Sequence, residues 1–386
     1  MRATCFLLIG VCGLLFGAAP VVAQSWVQSS APSKGWTSIA CSADGSCSVA
    51  LSGDGIYVST NAGSTWLQTT NLNTVWLSVA ASADGTKMVA LGFQGIYLST
   101  NSGFSWVMVT NPPVYWGQVA CSGDGAKWIA VGGYNAGPRS SIYLSTDSGS
   151  TWFTNSLTWQ GGWIGAASSA DGTRFAVAAA NGGPVFNSTN AGLNWTSNNS
   201  PSQFWHQISG SCDLSRVIAV HTHAFVRDNT GFWTETTVSV PGSFWNAASS
   251  ADGNRMVIAP YPGYPGAIFT STDSGLTWSS NSIPVSQFQG VAISADGSRM
   301  FAGGYPGGIY TLQTQVQPKL NVARSGSDLK LSWTIPATTF VLQQSSDLGT
   351  NWSVVTNTPV MNFTNIQNEV VVSPTNSICF YRLAVP

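Results

Sequence analysis

Charge is what this chain has least of. Asp, Glu, Lys and Arg make up 8% of its 386 residues, against roughly 25% in an average soluble domain. The net charge is −1, so the chain carries no electrostatic footprint for nucleic acid or an anionic membrane. Glutamate occurs twice, at Glu235 and Glu369, and histidine three times, at His206, His221 and His223. A paired-carboxylate glycosidase has almost nothing to recruit beyond Asp54, which the pattern places alone in its loop. Past the N-terminal segment no apolar run reaches the roughly 20 residues of a membrane span. No Cys-x-x-Cys zinc pattern is present.

Residues 1–23 have the order of an export signal: Arg2, an apolar stretch from Cys5 to Ala19, and Val21-x-Ala23 before a cut that leaves Gln24 first. A secreted or periplasmic protein is expected. Five cysteines follow the cut. Cys41 and Cys47 flank one tight turn, which suits either a cross-hairpin disulfide or two small packing residues.

What the chain has in quantity is repetition. Ser-Ala-Asp-Gly or a relative recurs with its Asp at Asp44, Asp84, Asp124, Asp171, Asp213, Asp252 and Asp296, 39 to 47 residues apart. A second phrase, Ser-Thr-(Asn/Asp)-x-Gly-x-x-Trp, trails most copies, as in Ser59 to Trp66 and Ser271 to Trp278. Within one unit, Trp76–Ser82, Lys87–Leu91, Gly95–Ser99 and Ser105–Val109 read as four strands separated by Gly, Asn and Asp turns. A period of about 40 with four strands per unit describes a β-propeller. The seventh unit lacks its fourth strand, whereas Ser25–Gln28 at the mature N-terminus matches a fourth-strand phrase. The expected fold is all-β: a seven-bladed propeller over 24–315 closed by the N-terminal strand, then a small β-sandwich over 316–386.

The second phrase resembles the Asp-box, or BNR repeat, of sialidase-like propellers and of the photosystem II stability and assembly factor family. The resemblance covers about 25–312 and implies architecture more than activity. The C-terminal segment, with Trp333 and Tyr381 near core positions, is similar to a fibronectin type III module.

If the first strand of each unit is innermost, one face carries every repeated turn. The opposite face carries the irregular connections, with Tyr134, Arg139, Tyr261, Tyr264 and Tyr305. These are candidate ligand-binding residues, because variable loops on a rigid scaffold carry function. An aromatic stands eight residues before each turn Asp: Trp36, Trp76, Trp116, Trp163, Trp205, Phe244 and Phe288. Packing between units is one role for this ring. The other makes Trp76, Trp116, Trp163 and Trp205 a stacking platform for sugars or chains. A sialidase-like site needs clustered arginines, but Arg174, Arg216, Arg255 and Arg299 share a repeat position beside the Asp turns. His206, His221 and His223 cluster in the fifth unit with no acid in view, either as structural or surface residues or as an imidazole cluster for zinc or copper. The reading is a monomeric, non-catalytic binder of an extracellular glycan, protein or other polymer, with no metal and no cofactor. The alternative is a glycoside hydrolase or lyase with a divergent site.

Overall fold

The structure, a computed structural model, describes residues 25–384 apart from 71–73, 111–114, 134–140, 156, 158, 160, 237, 239–242, 261–266, 284–286, 315, 317, 336–339, 347–350 and 374–378. The described residues are all-β, with no helix. They divide into two units. One runs from Trp26 to Gln315 and also takes in Phe363–Ile366; the other holds the rest of the C-terminal segment.

The turn is where the repeat becomes structure. In the first copy Ser46 N–H donates to Asp44 Oδ1 at 2.9 Å, and Ser42 Oγ at 2.5 Å. The same Ser42 oxygen accepts Cys47 N–H at 3.0 Å. Gly45 takes a φ of 64°, which costs a glycine nothing. A short acidic side chain therefore holds the hairpin that joins strands one and two. One copy departs from the pattern: Leu214 holds a φ of 51° where the other six have glycine.

Each hairpin seeds a four-stranded antiparallel sheet. Sheet one, for example, comprises Trp36–Cys41, Ser48–Ser52, Gly55–Ser59 and Leu67–Thr70 in sequence order. Sheets two to six repeat this order across 76–110, 116–154, 163–197, 207–235 and 244–282. Sheet seven is Phe288–Ile293, Arg299–Gly304 and Ile309–Gln313, and its fourth strand is Val27–Gln28, with Val27 opposite Thr311 and Gln28 opposite Tyr310.

Backbone bonds link each turn to the next. Ala43 N–H donates to Ala83 O, Ala83 to Gly123, Gly123 to Ala170, Ala170 to Cys212, Cys212 to Ala251 and Ala251 to Ala295, all at 2.6–2.8 Å. Ala295 then donates to Ala43 at 2.8 Å, so the series returns to its first member. Basic side chains add a second tie. Lys87 reaches Asp124 O at 3.1 Å, Arg174 reaches Asp213 O at 3.1 Å, and Arg216 reaches Asp252 O at 3.0 Å. In sheet one this position is Cys47, whose thiol lies 3.7 Å from Gly85 O. Cys41 and Cys47 are both free thiols. Burial pushes Cys41 up to about 12 and Cys47 up to about 11, so neither is a reactive thiolate at neutral pH.

The first strands meet at the centre. A cavity of about 180 Å³ there is lined by Ser38, Ser78, Gln118, Gln207 and Asn246, among others. These side chains satisfy the next sheet's backbone: Val79 N–H donates to Ser38 Oγ at 3.2 Å, and Ala166 N–H to Gln118 Oε1 at 3.0 Å. Outermost strands such as Leu67–Thr70 and Phe153–Thr154 are largely exposed.

The second unit holds a four-stranded sheet, ordered Asn321–Ser325, Asp328–Thr334, Gln367–Val372 and Val360–Asn362. Beside it is a three-stranded one of Ser353–Val354, Val341–Ser345 and Phe380–Ala384. Both contribute to one core around Trp333, Leu331, Leu342 and Val370.

Candidate binding face

The seven aromatics at or just before the start of the first strands are buried, with 0–5% of their surface exposed. Each of the first six meets an aromatic on the third strand of its own sheet edge to face, as Trp36 meets Tyr57 at 5.0 Å and Trp76 meets Tyr97 at 4.9 Å. Trp76 also packs on Val49, Leu51 and Ile56 of sheet one, and Trp36 on Phe301 and Ile309 of sheet seven. Burial between sheets of two large apolar faces outweighs anything an open ring could gain there. Trp76, Trp116, Trp163 and Trp205 therefore present no free face for stacking, which corrects that part of the expected site. The signal for their true role is the Ile-Tyr or Val-Phe pair that recurs in the third strands.

Of the loop residues singled out, Tyr134, Arg139, Tyr261 and Tyr264 lie outside the described residues. Tyr305 is described and partly exposed. Its ring lies over Gly35, where a Cβ would come within 2.6 Å of the ring. Three aromatics escaped the sequence reading: Phe93, Tyr115 and Phe204 are each more than half exposed. Tyr115 and Phe204 immediately precede buried tryptophans, and Phe93 sits in a two-residue turn. Phe93 and Tyr115 cross at 86° with centroids 5.1 Å apart.

Asp54 is not alone. Lys34 and Tyr57 both hydrogen-bond its Oδ2, Tyr57 at 3.1 Å, and Ser52 donates to Oδ1 at 2.8 Å. Burial alone would raise this carboxyl; the bonds from Lys34, Ser52 and Tyr57 outweigh it and hold it below the usual carboxylate range. The Asp54 contact likewise raises Lys34. Lys34 is tied to the loop of Tyr305, its N–H donating to Gly307 O at 2.9 Å. This is a neutralised ion pair, poor material for a general acid.

The histidines also have company. His206 and His221 stand 5.1 Å apart, centroid to centroid, with Trp245 against His206 and Phe204 near His221. Glu235, expected only on an outer strand, reaches His223 Nδ1 at 3.1 Å. Burial lowers His206, and it lowers His221 with help from the two other imidazoles. No group of three or more His, Cys, Asp or Glu suited to a metal occurs among the described residues.

No family model matches the sequence, and no curated protein sequence matches it. Among solved structures, one described as "YCF48 bound to D1 peptide" is similar, with a TM-score of 0.55 and 19% identity over 76% of this chain and 96% of that one. With the repeated four-stranded sheets, this likeness makes the fold a β-propeller.

Proposed function

We propose that this chain is an exported, non-catalytic propeller that holds a glycan, protein or other polymer on the face bearing its irregular loops. Seven blades closed by the N-terminal strand form the scaffold. The C-terminal unit is a fibronectin type III-like sandwich that serves as spacer or adhesion module. Support for closure comes from the pairing of Val27 with Thr311 and the bond from Ala295 to Ala43. The site assignment rests on one observation. Exposed aromatics on that face (Phe93, Tyr115, Phe204 and Tyr305) differ from sheet to sheet, whereas the repeated-turn face is built from nearly uniform, internally satisfied turns. Uniformity serves folding; variation on a rigid scaffold leaves room for a specific partner.

A protein partner is compatible with the similar structure, which is described as bound to a peptide. Catalysis is disfavoured, since Asp54, the acid best placed for it, is held ionised by Lys34 and Tyr57. The test is a footprint. The mature protein is oxidatively labelled with and without candidate polymers and cell-surface extracts. Protection is expected at Phe93, Tyr115, Phe204 or Tyr305. Protection confined to the repeated turns, or polymer cleavage abolished by Asp54→Asn, would reject the reading.

A further inference from the structure

Phe93 and Tyr115 lie where sheets two and three adjoin on the loop face, and three features of that place bear on what they contact. The first is rigidity. Each ring props the other at 86°, and both main chains are tied down, Phe93 N–H to Val75 O at 2.9 Å and Gly133 N–H to Tyr115 O at 2.8 Å. An aromatic already fixed in place loses little entropy when a ligand stacks on it.

The second is unfilled hydrogen bonding. In sheets one and five the buried indole N–H at the strand start donates to a carbonyl of the preceding sheet's loop, Trp36 to Gly307 and Trp205 to Gly183, both at 3.0 Å. The corresponding turns before Trp76 and Trp116 are tight hairpins, with Ser52 paired to Gly55 and Gly92 to Gly95. Trp116 Nε1 and the hydroxyl of Thr74, which is more than nine-tenths buried and lies beside Gly92, have no partner among the described residues. Buried donors left so call for an ordered water, which can pass the bond on toward the surface.

The third is neutrality. On this face Lys34 pairs with Asp54, and Glu235 meets the His223 imidazole at 3.1 Å. Among the described residues of this face, an ionic polymer finds no unpaired lysine or arginine to attract it.

We infer that Phe93 and Tyr115 form a stacking subsite for an uncharged sugar of a neutral glycan. A pyranose offers an apolar C–H face to the rings and hydroxyls to the waters beside them. This rests on the loop-face reading and narrows it to one class of polymer.

Affinity electrophoresis of the mature chain in gels containing xyloglucan, galactomannan, mixed-linkage β-glucan, alginate or heparin tests it. Retardation by at least one neutral polysaccharide is expected. It should weaken about tenfold in Phe93→Ala and in Tyr115→Ala, and stay unchanged in Phe153→Ala on an outer strand. It should also be insensitive to salt from about 50 to about 500 mM, as expected when no counterions are released. No retardation by any neutral polysaccharide, or retardation untouched by both substitutions, overturns the inference; so does salt-sensitive binding to alginate or heparin alone. Binding to a peptide array that is lost in Phe204→Ala and Tyr305→Ala would sink the sugar subsite and leave the loop face standing. Binding that footprints to the repeated-turn face would sink both.

Discussion

The amide of Ala295 donates to the carbonyl of Ala43 at 2.8 Å, the bond that every other repeated turn makes to the next one along the chain. The last sheet thus treats the first as its successor. Val27–Gln28 completes that junction by pairing with the strand that ends the series. Removing residues 24–31 should therefore open two sheet edges and lower the thermal midpoint of the whole first unit in one transition. Calorimetry of the truncated chain checks this. An unchanged midpoint would mean the strand is ornamental.

Cys47 holds the position from which Lys87, Arg174 and Arg216 reach a neighbouring carbonyl. Gly125 accepts the stem of Lys87 at 3.0–3.2 Å from the point its Cβ would occupy, much as Gly85 accepts Cys47. Cys47→Arg should fit and add one charge-assisted bond, raising stability by about 1 kcal/mol. Urea titration decides, and a loss would show that the thiol is needed for packing.

Leu214 combines a strained backbone with a buried side chain, at a φ of 51° and 5% exposure. Glycine would relieve about 1 kcal/mol of left-handed strain, but deleting a buried leucine costs about 2–5 kcal/mol. Packing wins, so Leu214→Gly should destabilise by roughly 1–4 kcal/mol. A stabilised variant would show that the side chain contributes less than its burial indicates.

Acid should act in two steps. Burial lowers His206 and His221, so the folded state binds their protons less well than the unfolded chain does. Their contribution is lost as pH falls from about 6.5. Hydrogen bonds from Thr151 hold Asp147 down to about 2, and those from Thr277 lower Asp273. Their contribution is complete above about pH 5 and lost as pH falls through the lowered folded values. Asp296 works the other way: burial raises it, so protonation there favours the fold. In melts from pH 8 to pH 2, His221→Gln should flatten the upper step and leave the lower one. A single step near pH 4, indifferent to the histidines, contradicts this.

Trp76 and Phe93 separate structure from binding. Trp76→Ala should cost about 3–5 kcal/mol, since it empties a site between two sheets. Phe93→Ala should cost under about 1 kcal/mol. Equal losses in chemical denaturation would undo the division between rim and face.

The propeller class was legible because its signals are local. Asp44 and Gly45 must lie next to each other to make the turn, and an aromatic stands eight residues before each turn Asp, as Trp36 does before Asp44. The candidate face was less legible because exposure is a property of neighbours. Trp116 and Tyr115 are adjacent aromatics, and only packing against sheet two buries the first and leaves the second outside. The partners of Asp54 and His223 were hidden for a related reason. Lys34 lies 20 residues before Asp54, and Glu235 is brought back by an outer strand; neither spacing follows any motif.

The pairing of Gln28 with Tyr310 joins residues 282 apart, and it has a consequence in time. Sheets one to six can each form from a stretch of about 40 residues as that stretch emerges, since their strands are consecutive. Sheet seven has to wait for the far end of the unit, and until then the oldest strand has no partner. The slowest ordering event should be this long-range docking rather than the making of any single sheet. A chain interrupted before residue 311 would hold six finished sheets and two bare edges, a species inclined to pair with its own copies.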